Sequence, residues 1–233
     1  MIPYLDDYTL IGTTDVPVNH VDPIPRADPA EIQYLCDAVN RYLAKPITTA
    51  QILWSYAGIR PLYDDGNANP SAVTRDYTLR IDHDKGAAPV LSVFGGKITT
   101  YRKLAEHVLE KLTPWFPAIK PGWTHKEPLP GSELSSHEPN ASWQTLSKEI
   151  LDAVVSRHGT RASHVLRGVK TVADLGRHFG AHLYAREIKY MLEHEWATTT
   201  EDVLYRRSKA GLVMDTEQKN AVTEYIETLR RTK

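Results

Sequence analysis

The sequence predicts an α+β protein in which a part built of strands and helices is followed by a part built of helices alone. Up to about residue 125, runs rich in β-branched and aromatic residues alternate with apolar stripes at spacings of three and four. From Pro114 to Asn140 the composition turns to proline, glycine, serine and histidine and ends in L-P-G-S-E-L-S-S-H-E-P-N, the clearest boundary in the chain. Beyond it, over residues 142–233, only the helical period recurs. The predicted organisation is therefore a first domain over 1–125, a linker over 126–141 and a helical domain over 142–233.

Taken in order, residues 8–14 read as a strand that breaks at Gly12, followed by the small polar residues Thr13, Thr14 and Asp15, which fit turn chemistry or a ligand role equally. A proline-rich connector over residues 17–25 leads to the first helix. Asp28 can cap it, Pro29 suits its first position, and Glu31 completes a capping box. Ile32, Leu35, Val39 and Leu43 then form one apolar stripe. Residues 51–59 read as a strand with Ile52, Trp54 and Tyr56 on one face. It ends at G-I-R-P, where Pro61 forces Arg60 toward an extended conformation and Gly58 leaves room beside it.

Residues 73–81 read as a further strand, on which period two places Val73, Arg75, Tyr77, Leu79 and Ile81 together. An arginine on an apolar face needs a partner, either a carboxylate such as Asp64 or Asp65 or an anionic ligand. Residues 89–112 carry the strongest local signal. Val90, Leu91, Val93 and Phe94 make a nearly continuous apolar run, expected of a strand buried on both faces. The run stops at Gly95, Gly96 and Lys97, and a helix with Tyr101, Leu104, Val108 and Leu112 inward begins at once.

Strand, glycine turn and helix make the geometry of an anion site. The first turn of a helix leaves unpaired N–H groups aimed outward, glycine lets backbone approach a ligand closely, and Lys97 adds a positive charge. The competing reading is an ordinary cap between a strand and a helix. Arg60, Arg75 and Lys97 lie at strand ends or on a predicted buried face within one short span, and together they point to a small phosphorylated or carboxylated substrate.

In the helical part, Trp143, Leu146, Ile150 and Val154 form one stripe, and Tyr184, Ile188, Met191 and Leu192 another. A short helix is expected over residues 200–208. A last helix opens on a capping box of Asp215 and Gln218, with Val222, Tyr225, Ile226 and Leu229 inward. His178 and His182 are four apart, but Gly180 between them and the lack of a third ligand at useful spacing argue against a metal site.

Composition narrows the classes further. A chain of 233 residues with 41% hydrophobic and 24% charged residues suits a globular protein of one or two domains. A net charge of −1 excludes a nucleic-acid binder that works through bulk electrostatics. No run approaches the ~18 apolar residues of a membrane-spanning helix. The single cysteine, Cys36, excludes an internal disulfide and reads as a core thiol. The first residues enter strand-like sequence without a polar lead-in, which suggests that Met1 opens part of a longer protein. No G-x-G-x-x-G, G-x-S-x-G, P-loop or EF-hand pattern occurs.

The stretches I-P-Y-L-D-D-Y-T-L-I-G-T-T-D, W-S-Y-A-G-I-R-P-L, A-V-T-R-D-Y-T-L and L-S-V-F-G-G-K-I-T-T-Y-R-K-L-A-E-H-V-L-E-K-L resemble the flavin-dependent sn-glycerol-3-phosphate dehydrogenases, the respiratory enzymes related to D-amino acid oxidase. T-V-A-D-L-G, Y-A-R-E-I-K-Y-M-L-E-H-E-W and D-V-L-Y-R-R-S-K-A-G-L are similar to that family's C-terminal helical domain. The resemblance covers essentially the whole chain and corresponds to the C-terminal portion of the family. It implies a mixed-sheet part of an FAD and substrate domain followed by the all-α domain. It implies that Gly95, Gly96, Lys97, Ile98 and Thr99 approach the flavin ring, and that Arg60, Arg75 and Lys97 bind glycerol 3-phosphate or its product, dihydroxyacetone phosphate. Electrons would pass through FAD to quinone, with peripheral contact on the inner face of the cell membrane and no nucleic acid. The family's dinucleotide fingerprint and its favoured base, a histidine, are expected upstream, so the chain alone is expected neither to hold FAD tightly nor to turn over. Two other functions stay open: a glycerophosphate oxidase that uses oxygen, and a non-catalytic helical interaction module.

Overall fold

The computed structural model describes residues 1–5, 7–18, 25–63, 74–84, 86–132, 143 and 145–231. Asp64, Asp65, Val73 and most of the expected linker lie outside the described residues. The chain divides into two compact units, Met1–Lys126 and Glu127–Lys233.

In the first unit, β1 (Ile2–Tyr4) pairs antiparallel with β2 (Tyr8–Leu10), Ile2 opposite Leu10. Helix α1 (Pro29–Asn40) opens on the expected capping box: Ala30 N–H donates to the Asp28 carboxylate at 2.7 Å and Asp28 N–H to Glu31 at 3.0 Å. Its one buried residue is Cys36. Strands β3 (Tyr77–Asp82) and β4 (Val90–Gly95) form a second antiparallel pair, with Tyr77 opposite Gly95 and Asp82 opposite Val90. A 3-10 turn over Ile98–Thr100 leads into α2 (Tyr101–Leu112), and His107 of α2 meets Tyr77 of β3 edge-on at 5.8 Å between ring centroids.

Four expectations for this unit need correction. The sheet is not mixed among the described residues, because both pairs join strands adjacent in sequence, which fold back antiparallel. Residues 52–63 follow a 3-10 turn (Thr49–Gln51) and form no strand, since they meet no partner edge among the described residues. Trp54 and Tyr56 do share a face, their rings stacking at 4.9 Å. β3 begins at Tyr77, so Arg75 precedes the strand and is exposed rather than set on an apolar face. β4 is not buried on both faces: among the described residues β3 is its one strand neighbour, and Val90, Val93 and Phe94 are exposed.

The second unit follows its sequence pattern closely. Ser147 caps α3 (Lys148–His158), and Leu146, Ile150 and Val154 pack with Leu166 and Leu175 around the short α4 (Ala162–Val165). A second core joins Ile188 and Met191 of α5 (Ala185–His194), Val203 and Leu204, and Val222 and Ile226 of α6 (Thr216–Arg231). Gln218 N–H donates to Asp215 at 2.8 Å and Asp215 N–H to Gln218 at 3.2 Å, the reciprocal box expected at the start of α6. The short helix expected over residues 200–208 is a π-helical turn, Asp202–Arg207.

A charge cluster that no local pattern announces links the end of α3 to α5. Arg157 binds Glu187 through two parallel bonds of 2.5 and 2.9 Å, and His158 bridges Glu187 and Glu195, each at 3.0 Å. The His158 and Glu187 side chains are 1% and 2% exposed. Two cations meet two carboxylates, so the buried charge balances. Burial alone would lower the pKa of His158, but its hydrogen bonds to Glu187 and Glu195 outweigh burial and raise it to about 9. A raised folded pKa contributes stability in full below the unfolded value of 6.5 and loses it as pH climbs toward about 9. Thermal melts between pH 6 and pH 10 should therefore show a fall on the alkaline side that a His158→Gln variant lacks. Equal alkaline slopes for the two proteins would contradict a charged His158.

Candidate functional site

The glycine turn at the end of β4 gathers the predicted site segments of the first unit. Gly95 has φ +70° and Gly96 φ +92°, a region that disfavours any side chain. A Cβ on Gly95 would stand 3.1 Å from the Tyr63 nitrogen, 3.3 Å from the Asp76 carbonyl oxygen and 3.6 Å from that of Pro61. A Cβ on Gly96 would meet the Tyr77 Cβ at 3.2 Å. Pro61 follows Arg60 and Asp76 follows Arg75, so the turn packs directly against the backbone that carries both arginines. The sequence suggested that these glycines admit a ligand; in the structure the space beside Gly95 admits protein backbone.

After the turn, Lys97 is extended and exposed, and its carbonyl accepts from Thr100 N–H at 3.0 Å and Thr100 Oγ1 at 2.9 Å. Ile98 is 88% exposed and Thr99 is also exposed. Helix α2 proper starts only at Tyr101, because Thr100 has φ −103° and ψ 2°. The segment nearest the glycines is thus a 3-10 turn rather than the expected α-helical first turn, though its opening N–H groups are still without intrahelical acceptors.

The arginines meet one carboxylate. Arg60 Nη1 lies 3.3 Å from Asp15, and Arg75 Nη2 lies 3.1 Å from Asp15 Oδ2. Among the described residues the carboxylate beside Arg75 is Asp15, which the sequence marked only as turn chemistry or a ligand role; Asp64 and Asp65 lie outside them. The one local signal available was a carboxylate directly after a strand that breaks at glycine. Arg80, also passed over, donates from Nη2 to the Tyr63 hydroxyl and stacks over the rings of Tyr63 and Phe94 at 5.2 and 5.8 Å.

Arg60 and Arg75 are thus brought together, and the glycine turn is brought to their backbone. Lys97 adjoins the turn by sequence. His178 and His182, in the other unit, do not share a helical face. Gly180, Ala181 and His182 all have positive φ, and the rings stand 6.3 Å apart. Burial and then the nearby His182 lower the pKa of His178. Among the described residues no group of three His, Cys, Asp or Glu side chains is placed to hold a metal.

Comparison with known proteins decides the family. Residues 1–102 match the FAD dependent oxidoreductase family, and residues 123–233 match the C-terminal domain of alpha-glycerophosphate oxidase. The chain is 39% identical over 232 residues to the aerobic glycerol-3-phosphate dehydrogenase of Escherichia coli (strain K12), covering 97% of this chain and 46% of that protein. It belongs to the family of FAD-dependent glycerol-3-phosphate dehydrogenases. Another relative within the same similarity range is the glycerol-3-phosphate dehydrogenase of Pseudomonas aeruginosa, 46% identical over 235 residues, 97% of this chain and 45% of that protein. The D-erythritol 1-phosphate dehydrogenase of Brucella abortus is 41% identical over 236 residues, 97% of this chain and 46% of that protein. This glycerol-3-phosphate dehydrogenase family chain therefore spans about half the length of the curated relatives it matches.

Proposed function

We propose that the chain supplies the substrate-side wall and the helical domain of a flavoprotein that oxidises sn-glycerol 3-phosphate to dihydroxyacetone phosphate and passes the electrons through FAD to quinone. The reading rests on one observation: the Gly95 and Gly96 turn packs on the backbone beside Arg60 and Arg75, whose guanidinium groups sit on one carboxylate. Paired guanidiniums favour a phosphate, which accepts forked bonds, and Lys97 adds a point charge.

The residues present fit a flavin. Exposed, apolar Ile98 lies beside opening-turn N–H groups, a combination that suits a flat apolar ring edged with acceptors. In this reading Gly95, Gly96, Lys97, Ile98 and Thr99 face the ring, and FAD when bound supplies the hydride acceptor. The chain's own residues bind and orient: Arg60 and Arg75 hold the phosphate and so fix which carbon faces the ring. The dinucleotide-binding segment and the proton acceptor are assigned to the rest of the protein, so the chain alone neither holds FAD tightly nor turns over. The division into domains at 1–125 and 142–233 belongs to the same reading. No helix among the described residues is long and apolar enough to cross a membrane. Contact with quinone is assigned to a peripheral site on the inner face of the cell membrane.

The match of residues 123–233 to an alpha-glycerophosphate oxidase domain favours oxygen as a second possible acceptor. Peroxide formation during turnover distinguishes it. The Brucella relative makes D-erythritol 1-phosphate the competing substrate, to be assayed beside glycerol 3-phosphate.

The decisive experiment is Arg60→Glu in the full-length protein. Replacing a charged donor by a like charge is expected to raise the KM for sn-glycerol 3-phosphate by about 100-fold or more, with flavin content and circular dichroism unchanged. Unchanged kinetics in a folded variant would favour a structural role for the basic residues and a helical interaction module.

A further inference from the structure

Two segments of the first unit converge on Asp15 from far apart in sequence: Arg60 is 45 residues away and Arg75 is 60. Both arginines leave irregular backbone, Arg60 in a segment without a strand partner and Arg75 just before β3. Asp15, in contrast, is tethered. The neighbouring Thr14 donates from Oγ1 to Glu31 Oε1 at 2.5 Å, and Glu31 is the capping-box residue that opens α1. The Thr14 bond, then the Asp28 N–H bond, hold the Glu31 carboxyl below its usual pKa, so the tether stays charged.

The contacts on Asp15 use Nη1 of Arg60 and Nη2 of Arg75. A guanidinium carries five donors in a planar fork, so among the described residues each arginine keeps donors for a second acceptor. Their side chains are 40% and 44% exposed, so an anion has access to them. Without the carboxylate, two guanidiniums would repel and separate.

We propose that Asp15 is a positioning residue that holds Arg60 and Arg75 side by side as a clamp for the phosphate of the substrate. The inference rests on the proposed function, and goes beyond it in assigning the geometry of the clamp to a residue that touches no substrate. Two positive charges serve the phosphate, and the negative charge of Asp15 between them keeps them together. A carboxylate that merely competed with the phosphate for the arginines would act in the opposite sense.

The test uses the full-length flavoprotein with sn-glycerol 3-phosphate as substrate and inorganic phosphate as a probe of the clamp. Asp15→Asn should raise both the KM and the inhibition constant of phosphate by about tenfold, the scale of one charge-assisted contact, with kcat within about twofold. Asp15→Glu, which keeps the charge on a longer arm, should fall between the two, at about threefold, and it carries the test if Asp15→Asn does not fold. In an Arg60→Ala background the same change should add less than about twofold, because the clamp is already open. Unchanged or tighter phosphate binding in the folded Asp15 variants overturns the positioning role. If Arg60→Ala also leaves phosphate binding unchanged, the proposed anion site itself fails, which separates the two results.

Discussion

Glu187→Ala is expected to destabilise the helical unit by about 3–5 kcal/mol, the cost of removing one partner from a buried ion pair. Glu187 accepts two bonds from Arg157 and one from His158. Alanine would leave His158 with Glu195 alone, and Arg157, among the described residues, with its bonds to the carbonyls of Ala181 and His182. The effect is large against a typical stability of about 5–15 kcal/mol. Glu187→Gln keeps the volume and isolates the charge, so it should recover a minor part of the loss. Denaturant unfolding followed by circular dichroism measures both. A loss below about 1 kcal/mol for alanine would show that water or rearranged partners satisfy the two cations.

Gly95→Ala should be the most damaging single methyl group in the first unit. At φ +70° the substitution strains the backbone by about 1–2 kcal/mol, and the new Cβ meets main-chain atoms of Tyr63 and Asp76 that cannot rotate away. Relief requires the turn to move off the segments that carry Arg60 and Arg75. In the full-length protein kcat/KM should fall by about 100-fold, the scale of a roughly 1 Å misplacement of positioning groups, with a loss of flavin measurable by absorbance. Gly58→Ala is the matched control: nothing lies within 4 Å of its Cβ, so activity and stability should barely change. Equal effects at the two positions would mean that the packing at Gly95 does not hold the site together. The control also revises the reason for Gly58, whose missing side chain makes no necessary room for Arg60.

The helical unit was the more legible half of the molecule. Its stripes at Ile150 and Val154, at Ile188 and Met191, and at Val222 and Ile226 are buried as their spacing implies, and Asp215 with Gln218 caps α6. A helix closes its hydrogen bonds within four residues and buries one face, so both start signal and stripe are local. Strands were less legible. Residues 51–59 alternate as a strand does, but alternation specifies only which side chains share a face, and a strand exists only where another edge pairs with it. The exposed apolar residues of β4 mark the same limit, since a buried-strand composition says nothing of what provides the cover.

By itself the sequence determined that a part with strands precedes a helical part, the capped starts of α1 and α6, the glycine turn before α2 and, through G-G-K-I-T-T and its neighbours, the family. Only the tertiary structure decided that Gly95 packs against main chain, that Arg60 and Arg75 share Asp15, and that Arg157 and His158 neutralise Glu187 and Glu195. The ion-pair partners lie 45 and 60 residues apart in one unit and 29 to 37 apart in the other. Charge pairing at such separations has no period and no preferred spacing. It is set by which segments the packed backbone brings within about 4 Å, and that is a property of the folded chain alone.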